Sequence, residues 1–128
     1  MSASPAPKGQ LIVSWVARLL AAGILGMAAV AKLSSQPDSI ALFQTLGAEP
    51  WGRFVVGIGE VAAVALLLWP GLTFYGGSLA AVLMVGAVGS HLFKLGIQYN
   101  GDPSLFVMAV VTLVAALVVI RLHRPARS

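Results

Sequence analysis

The chain has 128 residues, of which 59% are hydrophobic and only 9% charged, and its mean hydropathy is +0.94. Soluble domains carry about 25% charged residues, so this chain lacks the polar surface that a water-soluble fold needs, and lipid must cover part of it. The net charge of +4 lies mostly beside hydrophobic runs, which indicates membrane topology rather than nucleic-acid binding, and the lack of cysteine excludes disulfides, thiolate chemistry, iron–sulfur clusters and Cys-based zinc sites.

Four apolar stretches have lengths near the roughly 20 residues that a membrane-spanning helix needs. They are residues 11–33, 53–69, 72–97 and 104–122. Only Pro70-Gly71 separates the second stretch from the third, so these two helices must be antiparallel neighbours. The sequence therefore predicts an all-α fold, an antiparallel four-helix membrane bundle, with residues 1–128 forming a single membrane domain.

The first stretch allows a second interpretation. Lys8 and Arg18, an apolar run and then Ala29-Val30-Ala31 resemble a signal peptide with its cleavage site. However, Lys32 follows at once, and residues 11–33 are long enough to span the membrane. A retained helix explains the pattern at least as well.

The longest connection, residues 34–52, contains an amphipathic stretch at residues 39–46. This stretch predicts a short interfacial helix between the first two spans. Ser39 is expected to cap it, because a serine hydroxyl can accept a hydrogen bond from an unpaired backbone N–H of the first turn.

Aromatic and basic residues give the expected orientation. Trp15, Trp69 and Tyr75 fall at one predicted membrane face, and Trp51 and Tyr99 fall at the other. The first face also carries the basic flanking residues Lys8, Arg121, Arg124 and Arg127. We therefore expect a multi-pass protein of the bacterial inner (plasma) membrane, surrounded by lipid, with both termini in the cytoplasm.

Four ionisable residues fall at membrane depth, where each costs roughly 2.5–3.5 kcal/mol unless it is paired or hydrated. They are Arg18, Glu60, His91 and Lys94. Glu60 and His91 have nearly the same predicted depth, and Lys94 and the helix-end residue Lys32 can both reach toward Glu60. Arg53 also lies near a helix end, from which its long side chain can reach the interface.

This predicted cluster has two interpretations. A carboxylate beside an imidazole can move protons near neutral pH, as quinone chemistry requires, or the pair can simply fix helix packing. Arg18 lies about 10 Å from Glu60 along the bundle axis, so its expected partner is a phospholipid headgroup or a backbone carbonyl at a helix end. His123 is expected to be solvated in the basic tail, and with only two histidines the chain cannot hold a buried bis-His haem.

Small residues are expected to let helix backbones approach closely. Two small-xxx-small pairs are Ala22 with Gly26 and Gly86 with Ser90. Gly57 lies three residues before Glu60 and predicts a gap beside the carboxylate, which a helix or a ligand ring can approach.

Four segments, in this order and spacing, resemble the DoxX family. They are RLLAAGILGMAAVAKL at 18–33, FQTLG at 43–47, GIGEVAAVALLLWPG at 57–71 and GAVGSHLFKLG at 86–96. The resemblance implies a four-helix membrane protein, with relatives described as small subunits of terminal quinol oxidase or thiosulfate:quinone oxidoreductase, or as assembly proteins. The family pattern falls on Arg18, Lys32, Glu60 and His91.

The leading hypothesis is an accessory membrane subunit for quinone-linked redox chemistry, not a complete enzyme. Quinone would bind near Glu60 and His91, Lys32 or Lys94 would tune their charge, and the catalytic centre would lie on a partner protein; no covalent cofactor, metal or nucleic acid is expected. The alternative is a non-enzymatic scaffold or assembly factor for another membrane protein, and we expect either a protein partner or a homo-oligomer. A third hypothesis is a pathway for a small lipophilic molecule.

Overall fold

A computed structural model describes residues 7–99 and 101–124; the basic residue Arg127 lies outside this part. Five α-helices follow one another, and a π-helical segment continues the fourth. They are α1 (Lys8–Leu33), α2 (Pro37–Leu46), α3 (Trp51–Leu68), α4 (Thr73–Ser90), the π-helical segment (His91–Leu95) and α5 (Ser104–His123). The described chain contains no β-strand beyond one isolated bridge between Tyr99 and Asp102, so the predicted all-α fold is confirmed.

Four helices are long and apolar enough to cross a membrane: α1, α3, α4 with its π-helical segment, and α5. They pack in a ring in which α1 and α4 each contact both α3 and α5. Contacts between opposite helix ends, such as Arg18 with Leu67 and Ser14 with His123, show that neighbouring spans are antiparallel, which confirms the predicted four-helix bundle. The packed interior consists mainly of small side chains, while many large apolar side chains point outward, as expected for a protein whose solvent is lipid.

Different helix ends and connections lie at the two ends of the bundle. At the termini end lie the start of α1, the α3–α4 turn and the end of α5. At the α2 end lie the end of α1, the start of α3, the π-helical segment and the start of α5, and α2 packs against the first three of these. The short helix predicted between the first two spans is therefore present at the α2 end.

The prediction that Ser39 caps this short helix is wrong. The helix begins two residues earlier, at Pro37, and Gln36 occupies the cap position without a side-chain hydrogen bond. Proline suits the first helical position because its φ angle is already helical and it has no N–H to leave unpaired. Gly47 ends the helix in the left-handed conformation, at φ 76°.

Close helix approach depends on other glycines than the predicted pairs. A Cβ atom on Gly76 would lie 2.3 Å from the backbone nitrogen of Leu67, so only glycine permits the tight α3–α4 contact. By contrast, a Cβ on Gly26 or Gly86 would meet nothing within 4 Å. The prediction of close backbone approach at those two positions is therefore wrong within the bundle, because both face outward.

Candidate functional site

A buried ion pair joins Lys32, near the end of α1, to Glu60 in α3. The Lys32 ammonium nitrogen lies 3.3 Å from each carboxylate oxygen of Glu60. Glu60 is only 2% exposed, whereas the Lys32 side chain is 18% exposed. The pair is therefore a buried carboxylate whose counter-ion reaches it from the edge of the bundle.

One oxygen of this carboxylate is incompletely satisfied. The lysine has hydrogen-bond geometry only to Oε2, and Oε1 is buried without a hydrogen-bond partner among the described residues. A buried carboxylate oxygen without a donor is costly, so such an atom calls for an explanation. Either the pair is an imperfect structural tie, or Oε1 is the atom to which a donor or a proton is added.

Gly57 makes this pair possible. A Cβ atom on Gly57 would lie 2.9 Å from Cδ2 of Leu33 and 3.3 Å from Cβ of Lys32. Because glycine leaves this space free, the last turn of α1 can pack against α3 one turn from Glu60. The gap predicted beside the carboxylate is present, and the end of α1 occupies it.

Arg53 forms a second polar cluster at the α2 end, one that sequence analysis missed. It is 4% exposed, and its Nε donates to both carboxylate oxygens of Glu49, at 2.5 and 3.0 Å. Its Nη1 donates to the hydroxyl of Ser35, at 2.9 Å, and to the backbone carbonyl of Lys32. The guanidinium thus ties the α1–α2 turn and the α2–α3 connection to α3.

The interpretation of Arg53 as a side chain reaching out to the interface is wrong. Its burial depends on the α1–α2 turn folding back over the start of α3, which local sequence does not show. The four-residue spacing from Glu49 to Arg53 was the available signal, because opposite charges at this spacing often pair near a helix start.

His91 and Lys94 do not join the Lys32–Glu60 pair, and each has different surroundings. His91 is buried, its Nδ1 lies 3.0 Å from the carbonyl oxygen of Gly96, and its ring contacts Phe106 edge to face. Lys94 is exposed. A π-helix has more residues per turn than an α-helix, so the α-helical spacing that placed these side chains on one face no longer applies.

No hydrogen bond or ion pair joins Glu60 to either His91 or Lys94 in the described chain. The structure therefore brings together two of the four predicted cluster residues, Lys32 and Glu60. Ligand binding by any of the four stays a prediction.

Arg18 is at the termini end, far from Glu60 along the bundle axis. Its Nε donates to the carbonyl oxygen of Leu67, at 2.9 Å, in the last turn of α3, and its guanidinium lies 3.7 Å from the ring centroid of Trp15. A carbonyl at a helix end was one of the two expected partners. Contact with a lipid headgroup, the other expected partner, stays a prediction.

The expectation that His123 is solvated is wrong. Helix α5 continues through this residue, whose side chain is half-buried and whose Nε2 lies 2.6 Å from the hydroxyl oxygen of the buried Ser14. This contact joins the first and last spans at the termini end. The sequence does not show where the last helix ends, because basic residues follow His123 directly. On sequence alone, His123 is therefore predicted to be part of the basic tail.

An open apolar groove of about 600 Å³ lies between α1 and α3, lined by chain neighbours of Lys32 and Glu60 and not by the pair itself, and we call it the α1/α3 groove. Its lining includes Leu33 and Ser34, which follow Lys32, and Val61, which follows Glu60. The groove therefore runs on the lipid-facing side of the helices that carry the pair.

Arg18 and the Lys32–Glu60 pair lie toward opposite ends of the bundle, with apolar core residues that include Leu25 and Ala63 between them, and the buried hydroxyl of Thr112 lies partway along α5. Over residues 7–99 and 101–124, no three His, Cys, Asp or Glu side chains are grouped to hold a metal ion.

The fold and these contacts define a small integral membrane protein, a four-helix bundle with a buried ion pair. More narrowly, the chain belongs to the DoxX-like family, whose family model matches residues 16–120. This match confirms the suspected family. No curated protein and no solved structure matches the chain.

Proposed function

We propose that the protein is an accessory subunit of the inner membrane that binds a quinone at the Lys32–Glu60 pair. In this proposal the chain lies with both termini in the cytoplasm, and the catalytic centre belongs to a partner protein. The observation that carries the proposal is the buried Glu60 Oε1, which has no hydrogen-bond partner in the described chain although an ammonium group lies beside it.

The residues at the pair fit a quinone in both of its forms. The Lys32 ammonium is partly exposed and donates hydrogen bonds, so it suits a quinone carbonyl, while Glu60 Oε1 is an acceptor that suits a quinol hydroxyl. The apolar α1/α3 groove suits the ring and isoprenoid tail. When bound, the quinone supplies the capacity to carry electrons together with protons.

The chain's own residues then have distinct roles. Lys32 binds and orients the headgroup, because it is the member of the pair that reaches the edge of the bundle. Glu60 holds Lys32 in place through Oε2 and accepts or holds a proton at Oε1. Gly57 keeps the two side chains within reach by letting α1 approach α3.

The test is to purify the wild-type protein in a non-ionic detergent beside Glu60→Gln and Lys32→Met, extract the lipophilic fraction, and measure quinone by mass spectrometry and absorbance. Thr112→Val is the matched control, since Thr112 is a fully buried polar residue on α5 with no hydrogen-bond partner for its hydroxyl. We expect quinone on the wild type and the control, and its loss from both folded variants at the pair.

Two outcomes count against the proposal. If all four proteins carry equal quinone, the ligand binds elsewhere and the pair is not its site. If none carries quinone and none binds it when a quinone analogue is supplied, the redox proposal fails.

A non-enzymatic scaffold is then the better proposal, and a specific observation favours it. The Lys32–Glu60 pair joins α1 to α3, and Arg53 ties α3 to the α1–α2 turn through the Ser35 hydroxyl and the Lys32 carbonyl, as structural ties do. A scaffold predicts that Glu60→Gln weakens the fold or the binding of a partner membrane protein, while quinone content and redox rate are unaffected.

A further inference from the structure

A cavity of about 510 Å³ opens at the termini end, between the α3–α4 turn and the helices that meet there. We call it the termini-end cavity; its lining includes Trp15, Arg18, Thr73, Tyr75 and His123. Its volume falls within the range of about 300–1,000 Å³ that is typical of small-ligand sites. It lies at the opposite end of the bundle from the Lys32–Glu60 pair, so a ligand bound in it is independent of the quinone proposed for that pair.

The charged group in this cavity is incompletely paired. Arg18 is 7% exposed, and among the described residues only its Nε has a hydrogen-bond partner, the Leu67 carbonyl. A guanidinium has five N–H donors, so the four on Nη1 and Nη2 remain for a ligand. A charge at membrane depth is costly without a counter-charge, and the buried Arg18 meets a neutral carbonyl and the Trp15 ring but no carboxylate among the described residues.

No acidic side chain of the protein is placed to supply that counter-charge. The chain has four acidic residues, and all are in α2, the middle of α3 or the connections at the α2 end: Asp38, Glu49, Glu60 and Asp102. Two of them already pair with Lys32 and Arg53. The termini end instead carries further cations, the exposed Lys8, Arg121 and Arg124.

The aromatic residues around the cavity indicate that it lies at the level of the lipid headgroups. Trp15 and Tyr75 line it and are about half exposed, and Trp69 beside it is exposed as well. Tryptophan and tyrosine concentrate at the level of the lipid headgroups. The first turn of α4 also borders the cavity without a side-chain cap, and its free N–H groups favour negative charge.

We propose that the termini-end cavity binds a phosphate-bearing anion through the Arg18 guanidinium. The two Nη groups form a planar fork that matches two phosphate oxygens, while Nε stays on the Leu67 carbonyl and Trp15 covers one face of the guanidinium. A membrane phospholipid and free phosphate both present this chemistry. The aromatic residues at headgroup level favour the lipid.

The test uses Trp15 as the reporter, because its ring lies against Arg18. In a Trp51→Phe/Trp69→Phe background, Trp15 is the only tryptophan in the chain. Its emission is recorded in a non-ionic detergent while phosphatidylglycerol in mixed micelles, or sodium phosphate at constant ionic strength, is added. A saturable response to phosphatidylglycerol alone identifies a lipid headgroup site, and a response to sodium phosphate identifies a site for the free anion.

Two matched variants distinguish binding in the cavity from general attraction to the positively charged surface. Arg18→Gln and Arg124→Gln each remove one positive charge at the termini end, but Arg124 is exposed and does not line the cavity. We expect Arg18→Gln to weaken binding at least about tenfold, as loss of a charge-assisted pair predicts, and Arg124→Gln to retain it.

Should Arg18→Gln fail to fold, Tyr75→Glu provides the deciding variant. This change places a carboxylate at the half-exposed rim of the cavity and should abolish the response by occupying Arg18. The proposal is overturned if neither probe gives a saturable response, if the two arginine variants weaken binding equally, or if folded Tyr75→Glu responds like the parent.

Discussion

Removing the two charges of the Lys32–Glu60 pair, separately and together, tests how the protein tolerates ions inside its bundle. At 3.3 Å and an effective dielectric constant of about 20, the attraction between the two charges is about 5 kcal/mol before the cost of their desolvation. Lys32→Met leaves the carboxylate buried and unpaired, which should cost about 3–5 kcal/mol. Glu60→Leu should cost less, since the partly exposed lysine can turn toward the interface.

The double variant Lys32→Met/Glu60→Leu should regain most of the lost stability, because no charge is then left alone. We therefore expect a coupling energy of about 2–3 kcal/mol between the two positions, near the upper end of the range for residues in contact. The measurement is equilibrium unfolding in mixed micelles, with SDS titrated into a non-ionic detergent and helicity followed by circular dichroism. The control cycle combines Lys32→Met with Thr112→Val and should be additive to within about 0.5 kcal/mol.

A stabilising role for the pair is refuted if the effects of Lys32→Met and Glu60→Leu simply add, or if Lys32→Met changes the unfolding free energy by less than about 0.5 kcal/mol, as for an ordinary surface residue. The double variant also separates structure from function. A folded, stable double variant without quinone supports a binding role for the pair, whereas one that keeps its quinone removes the pair from the site.

Four further substitutions test other parts of the structure. Gly76→Ala should destabilise the protein by about 3 kcal/mol in the same unfolding assay, because the added Cβ meets backbone that cannot move aside, whereas Gly86→Ala in open space should gain about 0.5–1 kcal/mol. Arg53→Lys should cost about 1.5–3 kcal/mol and increase amide hydrogen exchange in α2, since lysine cannot replace the forked contacts; unchanged exchange would contradict the tie between α2 and α3. Thr112→Val should raise stability by about 1 kcal/mol, because it removes a buried hydroxyl without a partner, and a loss of stability would indicate an overlooked hydrogen bond.

The fold was predictable because its main signals are local. A run of apolar residues and a Pro70-Gly71 break suffice to define two antiparallel spans, whatever the rest of the chain does. Lys32 and Glu60 were also placed correctly within reach of each other, because regular α-helices carry their residue spacing into three dimensions. The prediction failed where geometry is irregular: the π-helical segment at His91–Leu95 turns Lys94 away from the face it would have on an α-helix.

Other errors arose because burial depends on distant segments. Arg53 is buried only because the α1–α2 turn lies over it, and His123 is half-buried only because Ser14, 109 residues away in the chain, lies opposite. No local pattern in the sequence carries this information. An interfacial position was the natural expectation for both side chains, since each lies near the end of a hydrophobic run.

Lys32 and Arg18 are both cations within the spans, but they have different partners, and this difference separates the two sites experimentally. Lys32 has its counter-ion within the chain, so its contribution to stability should not depend on added lipid. Arg18 contacts a backbone carbonyl and the Trp15 ring but no carboxylate among the described residues, so in our proposal a bound anion supplies its counter-charge. Adding phosphatidylglycerol to delipidated protein should therefore raise the unfolding midpoint of the wild type and of Lys32→Met/Glu60→Leu alike, but not that of Arg18→Gln. An equal rise in all three would mean that lipid stabilises the bundle through its apolar surface alone, and that Arg18 has no anion to gain.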